Sequence, residues 1–152
     1  MFKRVLAVFL TLGLSLLCAE DYHTSKSEAW KSANINATAT VLYGEKKFSH
    51  IKKSLNIELI APKGIVRDEQ HIAIRVRTSI PAKSVAIFQN ANPSALVAVF
   101  SVNNFTPTDI EIPIRMEKKG TVFAVIESMS GVLYYARAYI DVLCLPCMAQ
   151  GK

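Results

Sequence analysis

Cysteine is scarce in this chain, and its placement is lopsided. Only Cys18, Cys144 and Cys147 occur in 152 residues. Cys18 falls inside an N-terminal segment with the pattern of an export signal. Lys3 and Arg4 precede an uncharged apolar run from Val5 to Leu17, and Ala19 stands before the acidic pair Glu20 and Asp21. A charged start, an apolar stretch of that length and a small residue at the cut predict a cleaved secretory signal over residues 1–19. The run is too short for a comfortable bilayer span, so the mature chain is expected to be free of the membrane, in the periplasm. Leu16 and Leu17 stand where a lipoprotein signal wants small residues, and Lys3-Arg4 is not a twin arginine, so the general export route is favoured. The mature protein then keeps Cys144 and Cys147 alone. Two thiols cannot staple a disulfide scaffold, and a bridge between such close neighbours would close a tiny loop of little stabilising value.

Other absences exclude function classes. No arginine-rich helix and no interleaving of basic with aromatic residues appears, so nucleic acid is not the expected partner. The formal charge of +6 loses two cations with the signal, and the pairs Lys46-Lys47, Lys52-Lys53 and Lys118-Lys119 read as solvated turns. There is no paired-carboxylate motif, nucleophile elbow or phosphate-binding loop, and a non-catalytic role is expected. His23, His50 and His71 show no metal-ligand spacing.

What is present is alternation. Leu55, Ile57 and Leu59 alternate with polar residues, as do Ile72, Ile74 and Val76, and Ile110, Ile112 and Ile114. Val85 to Phe88 and Leu96 to Val102 are apolar runs, and Thr121 to Ser128 and Val132 to Val142 follow the turn signals Lys118-Lys119-Gly120 and Ser130-Gly131. About seven short strands with no helical period between them predict an all-β, immunoglobulin-like antiparallel sandwich. Pro113 inside a strand predicts an edge position. Ahead of the strands, Ser27 to Asn34 reads as a short helix capped by Ser25 or Ser27, with Trp30 and Ala33 on one face. Asn36 to Tyr43 is ambiguous. The expected layout is a signal peptide over 1–19, a helical lead-in over 20–54, a β-sandwich over 55–143 and a free arm over 144–152.

The arm reads Cys144-Leu145-Pro146-Cys147-Met148-Ala149-Gln150-Gly151-Lys152. It follows a strongly patterned strand, and strand parity separates its two thiols. The row Tyr134, Ala136, Ala138, Ile140, Val142, Cys144 is one that can pack inside. Its counterpart Tyr135, Arg137, Tyr139, Asp141, Leu143 carries both charges and is the expected outer face. Cys144 thus closes the core row, open to a packing or a redox role. Pro146 ends the strand, which makes Cys147 the reachable, reactive thiol. Cys147 stands five residues beyond Val142, a reach of at most ~16–18 Å. Tyr135, Tyr139 and Leu143 are candidate residues for a partner surface, with simple half-burial as the alternative.

The order of segments resembles a known family. Ile60-Ala61-Pro62 ends one strand, an alternating strand follows over Ile72 to Thr78, and an apolar strand enters Asn92-Pro93. Leu96 to Val102, Ile114-Arg115-Met116, Thr121 to Glu127 and Gly131-Val132-Leu133-Tyr134 come next, and the last strand runs into a terminal cysteine. This pattern, over roughly Leu55 to Cys147, resembles the SoxY family, sulfur-carrier subunits of the periplasmic thiosulfate-oxidising Sox system. The resemblance implies an immunoglobulin-like fold and a heterodimer with a SoxZ-like all-β subunit. It implies that a SoxAX-like c-type cytochrome attaches thiosulfate to a carrier cysteine. A SoxB-like hydrolase then releases sulfate, and a SoxCD-like sulfur dehydrogenase acts on the remaining sulfane. The carrier needs no cofactor beyond the covalent sulfur intermediate. By position Cys147 matches the carrier cysteine, with Leu145-Pro146 where the family has two glycines, and Cys144 is a possible resolving thiol.

Three rival readings use the same residues. Cys-x-x-Cys occurs in thiol-disulfide oxidoreductases, but there it opens a helix in a βαβ setting. Cys144, Cys147 and Met148 are soft donors suited to copper(I) binding or delivery. The third reading is a plain immunoglobulin-like binding subunit that carries nothing.

Overall fold

The computed structural model describes residues 21–103 and 107–143, so the expected signal peptide and the arm with Cys144, Cys147 and Met148 lie outside the described residues. Three short helices come first: α1 (Tyr22–Ser25), α2 (Ile35–Tyr43) and α3 (Glu45–Phe48), with a 3-10 turn at Ser27–Trp30. Nine strands follow: β1 (Lys52–Lys53), β2 (Ile57–Ile60), β3 (Ile65–Val66), β4 (Ile72–Thr78), β5 (Ala82–Gln89), β6 (Leu96–Ser101), β7 (Thr108–Ile114), β8 (Gly120–Ser128) and β9 (Leu133–Val142). The expected all-β sandwich is present. A six-stranded sheet runs β1-β9-β8-β5-β6, with β3 added on β9, and a three-stranded sheet runs β2-β4-β7. The long strands pair antiparallel, whereas two-residue β1 and β3 lie parallel to β9 at its opposite ends. Pro113 stands on β7, the edge of the small sheet, where its missing N–H breaks no ladder.

Two cores share the large sheet. Ile72, Ile74 and Val76 of β4 meet Val85 and Ile87 of β5 and Ala136, Ile140 and Val142 of β9 between the sheets. On the other face Ala86, Phe88, Val125 and Leu133 pack against Ala29, Ala39 and Leu42 of the helical segment. β5 is therefore buried on both sides, which is why Val85 to Phe88 is a continuous apolar run rather than an alternating one.

The helical segment departs from the sequence expectation. Asp21, not Ser25 or Ser27, caps the first turn through bonds from the His23 and Thr24 N–H groups. Asn34 then opens α2 by accepting from Asn36 and Ala37 N–H. Two strong caps split the region, so the expected helix over Ser27 to Asn34 shrinks to one 3-10 turn. Ala29 is the buried residue there, while Ala33 is exposed and Trp30 half-buried. Leu55 also departs. It is 95% exposed, because the ladder starts at Ile57↔Thr78 and the preceding residues turn, with Asn56 N–H bonded to Ser54 Oγ.

Gly120, at the turn into β8, is a close approach. A Cβ there would fall 2.5 Å from Asn90 Oδ1 and 3.1 Å from the Ala91 Cβ. Asn90 Oδ1 already accepts the Thr121 N–H at 2.8 Å, so it is not free to retreat. Gly120→Ala is expected to cost roughly 1–3 kcal/mol, seen as a lower urea midpoint at unchanged slope.

Candidate functional site

β9 leads to the arm, and its end is held on two sides. β8 pairs along its whole inner edge, from Glu127↔Leu133 to Gly120↔Ile140. On the outer edge β3 adds Ile65↔Asp141 and Val66↔Val142, and the Leu143 N–H donates to the Val66 carbonyl at 2.9 Å. Ile140 and Val142 are buried in the core between the sheets. The chain is thus fixed to the sandwich as far as Leu143, the last of the described residues. Because β3 is only two residues long, no periodic pattern announced it.

The expected outer row of β9 divides into two parts. Leu133 is buried, and Tyr135 is half-buried against the core that the helices close. Tyr139 is 60% exposed and Leu143 is half-buried. The sequence treated Tyr135, Arg137, Tyr139, Asp141 and Leu143 as one outward face. The helices instead cover its first part, since an amphipathic segment docks over the strand residues nearest it.

Away from the arm, one polar cluster escaped sequence reading. Glu127 is 4% exposed, and its carboxylate meets Lys47 Nζ at 2.8 Å, Ser84 Oγ at 3.4 Å and Lys83 Nζ at 3.9 Å. A carboxylate near Ser, Lys and Tyr invites a catalytic reading. The geometry favours a brace instead: Lys47 of α3 ties the helical layer to β8, and the acid is closed off from solvent. Glu127 pairs with Leu133, at the far end of β9 from Leu143, roughly 30 Å away along the strand. Nearby Tyr43 is buried, and its Oη has no hydrogen-bond partner among the described residues. Burial first, and the Glu127 charge second, push its phenol upward, so it stays neutral. Tyr43→Phe removes a buried hydroxyl that gains nothing, and is expected to stabilise the fold by about 1 kcal/mol. A denaturant titration of both proteins checks this.

Each histidine has its own neighbour. His23 faces Trp30 with ring centroids 5.3 Å apart, His50 Nδ1 lies 2.8 Å from the Lys46 carbonyl, and His71 lies 3.3 Å from Asp68. Among the described residues no group of three or more His, Cys, Asp or Glu side chains is placed to hold a metal ion. The copper reading rests on Cys144, Cys147 and Met148, which lie outside the described residues. A shallow, open cleft lies between Leu55, Arg77, Thr78 and Asp109. It sits at the Thr78↔Thr108 end of the small sheet, and Arg75 binds both Asp109 oxygens at 2.6 Å. Those groups are satisfied by one another, and the cleft offers no base beside a nucleophile.

The family model "Sulfur oxidation protein SoxY" matches residues 40–147, a range that ends on Cys147. The chain belongs to the SoxY family. The sulfur carrier protein SoxY from Chlorobium limicola f thiosulfatophilum superposes with a TM-score of 0.63 at 28% identity. That match covers 72% of this chain and 96% of the other. A superoxide reductase (neelaredoxin) from Ignicoccus hospitalis shares the fold alone, with a TM-score of 0.52 at 16% identity, covering 58% of this chain and 80% of that one. No curated protein matches the chain. As a SoxY-type protein the chain is a sulfur-oxidation carrier, and its resemblance on sequence pattern agrees with both findings.

Proposed function

We propose that this SoxY-type chain is exported to the periplasm, holds thiosulfate-derived sulfur covalently on Cys147, and presents it to sulfur-oxidising enzymes. The observation that carries this is a family match ending on Cys147, four residues past Leu143, which is bonded to the sandwich and is the last of the described residues. Those four residues allow the thiol at most ~14 Å of travel from the strand end, enough to enter an enzyme cleft while the body stays outside.

The loading step balances as follows. The Cys147 thiolate and thiosulfate form one S–S bond, giving a cysteine S-thiosulfonate. Two electrons pass one at a time to haem iron of a c-type cytochrome partner, each transfer reducing one ferric haem to ferrous, and the thiol proton goes to solvent. Hydrolysis then breaks the bond between the outer sulfane and the sulfone: water supplies one oxygen to sulfate, and a persulfide stays on Cys147. A sulfur dehydrogenase oxidises that sulfane in turn. A SoxZ-like all-β subunit is the proposed heterodimer partner.

The test is intact-mass spectrometry of the mature protein after incubation with thiosulfate and a SoxAX-type c-type cytochrome. One S-thiosulfonate adduct, mapped by peptide analysis to Cys147 and removed by a thiol reductant, is the expected result. A protein that stays unmodified while a known SoxY is loaded under the same conditions would overturn the reading.

A further inference from the structure

Among the described residues, every sheet edge but one carries a guard against pairing with another chain. β1 and β3 are two residues long, and β1 is the lysine pair Lys52-Lys53. β2 holds Glu58, and β7 holds Asp109, Glu111 and Pro113. β6 is the exception. Leu96–Ser101 is an edge strand that pairs with β5 alone among the described residues, and it holds no charge and no proline. Its one irregularity lies near its start, where Val97 is the extra residue between the pairs Phe88↔Leu96 and Ile87↔Ala98. From Ala98 onward the pairing is regular. Both cores reach the surface along this strand. Val97, Phe100 and Val102 are partly buried members of the core between the sheets, and Val99 is a partly buried member of the core under the helices. An unguarded apolar edge is a template for a further strand.

One bond fixes the direction of the backbone groups. The Val102 N–H donates to the Lys83 carbonyl at 3.0 Å. Antiparallel bonding repeats at every second residue, so Phe100 and Ala98 also turn their N–H and C=O groups toward β5. Val99, between them, turns both of its groups outward. We propose that β6 pairs antiparallel with β6 of a second copy of this chain, with Val99 on the twofold axis. The Val99 N–H of each chain then donates to the Val99 carbonyl of the other. Ala98 faces Phe100 of the second copy, a small side chain opposite a large one. Charge selects this occupant. In a twofold pair an edge meets itself, so any charge on it comes close to a like charge. β2 and β7 would bring Glu58, Asp109 and Glu111 near their own copies, whereas β6 brings no charge at all. An apolar edge also needs cover as soon as the chain folds, and the one edge of matching chemistry present wherever this chain is present is another β6. The inference concerns the folded body and does not rest on the carrier reading of Cys147.

The test uses the mature chain, kept reduced so that no disulfide can join two copies. Sedimentation equilibrium is expected to show twice the chain mass at high protein concentration and a single chain on dilution. Amide hydrogen exchange reads the edge itself. The Val99 N–H is expected to exchange at least about tenfold slower at the concentration where pairs form than in the dilute single chain. Val99→Pro removes an N–H that points away from β5, so the ladder within one chain loses no bond. This variant is expected to stay a single chain throughout, with its fold verified by a thermal melt. A parent chain that is single at every concentration overturns the inference. So does a pair in which the Val99 amide exchanges as it does in the single chain, or a folded Val99→Pro chain that still pairs. Protection of Val99 that arises only when a different all-β protein is added also overturns it, by giving the edge another occupant. The exchange measurement needs no variant, so it decides the matter even where Val99→Pro fails to fold.

Discussion

Cys147→Ser is expected to abolish covalent sulfur loading, and Cys144→Ser is expected to preserve it. The two thiols are three positions apart, and strand parity with Pro146 between them is the ground for expecting different roles. The inward row of β9 runs through Ile140 and Val142, both buried, and its next member in sequence is Cys144. Pro146, which has no N–H to give to a ladder, stands before Cys147. A serine hydroxyl is neither a thiolate nor able to form a stable bond to sulfane sulfur, so the loss should be complete rather than partial. Peptide mass spectrometry after loading decides the matter, and an adduct on Cys144 in the Cys147→Ser protein would reverse the assignment. A second outcome concerns discharge. If Cys144 resolves the loaded state, its thiolate attacks the Cys147 sulfur, a Cys144–Cys147 disulfide forms, and thiosulfate leaves with the bonding electron pair. Cys144→Ser should then lengthen the lifetime of the adduct in the absence of reductant.

Phe88→Ala is the substitution with the largest expected effect on the fold. Phe88 is fully buried on β5, opposite Phe123 of β8 and Leu96 of β6, within the core that the helices close over the large sheet. Truncation removes most of the largest fully buried side chain described and leaves a cavity that a central strand, paired on both sides, cannot collapse to fill. The cost should be about 3–5 kcal/mol, a fall in melting temperature on the order of 10–20 °C. Calorimetry of the two proteins measures it. A loss under 1 kcal/mol would mean that the helical layer is not packed on Phe88 as described.

Much of the architecture was legible because half-buried strands advertise themselves. Ile72, Ile74 and Val76 alternate in sequence and all three face the core. The inward row Ala136, Ile140 and Val142 was assigned to the core by parity and packs there. Pro113 on an edge followed from its missing donor. Elements without a period were not legible. β1 and β3 are two residues each and are held by backbone bonds to β9, which leave no signature in side-chain type. The helix boundaries depended on which of several capping residues was used, and Asp21 and Asn34 won over the serines.

The candidate site divides in the same way. Residue order alone marked Cys147 as the thiol expected to be reachable, fixed the alternation of the last strand, and argued against a disulfide scaffold, because these expectations follow from covalent spacing and the two-residue period of a strand. Only the assembled sheets decided where the arm is anchored, that Tyr135 lies under the helices while Tyr139 and Ile65 remain open, and that Glu127 is sealed by Lys47. Those facts depend on which distant segments meet, and contacts between segments far apart in the chain are set by packing in three dimensions rather than by any local pattern.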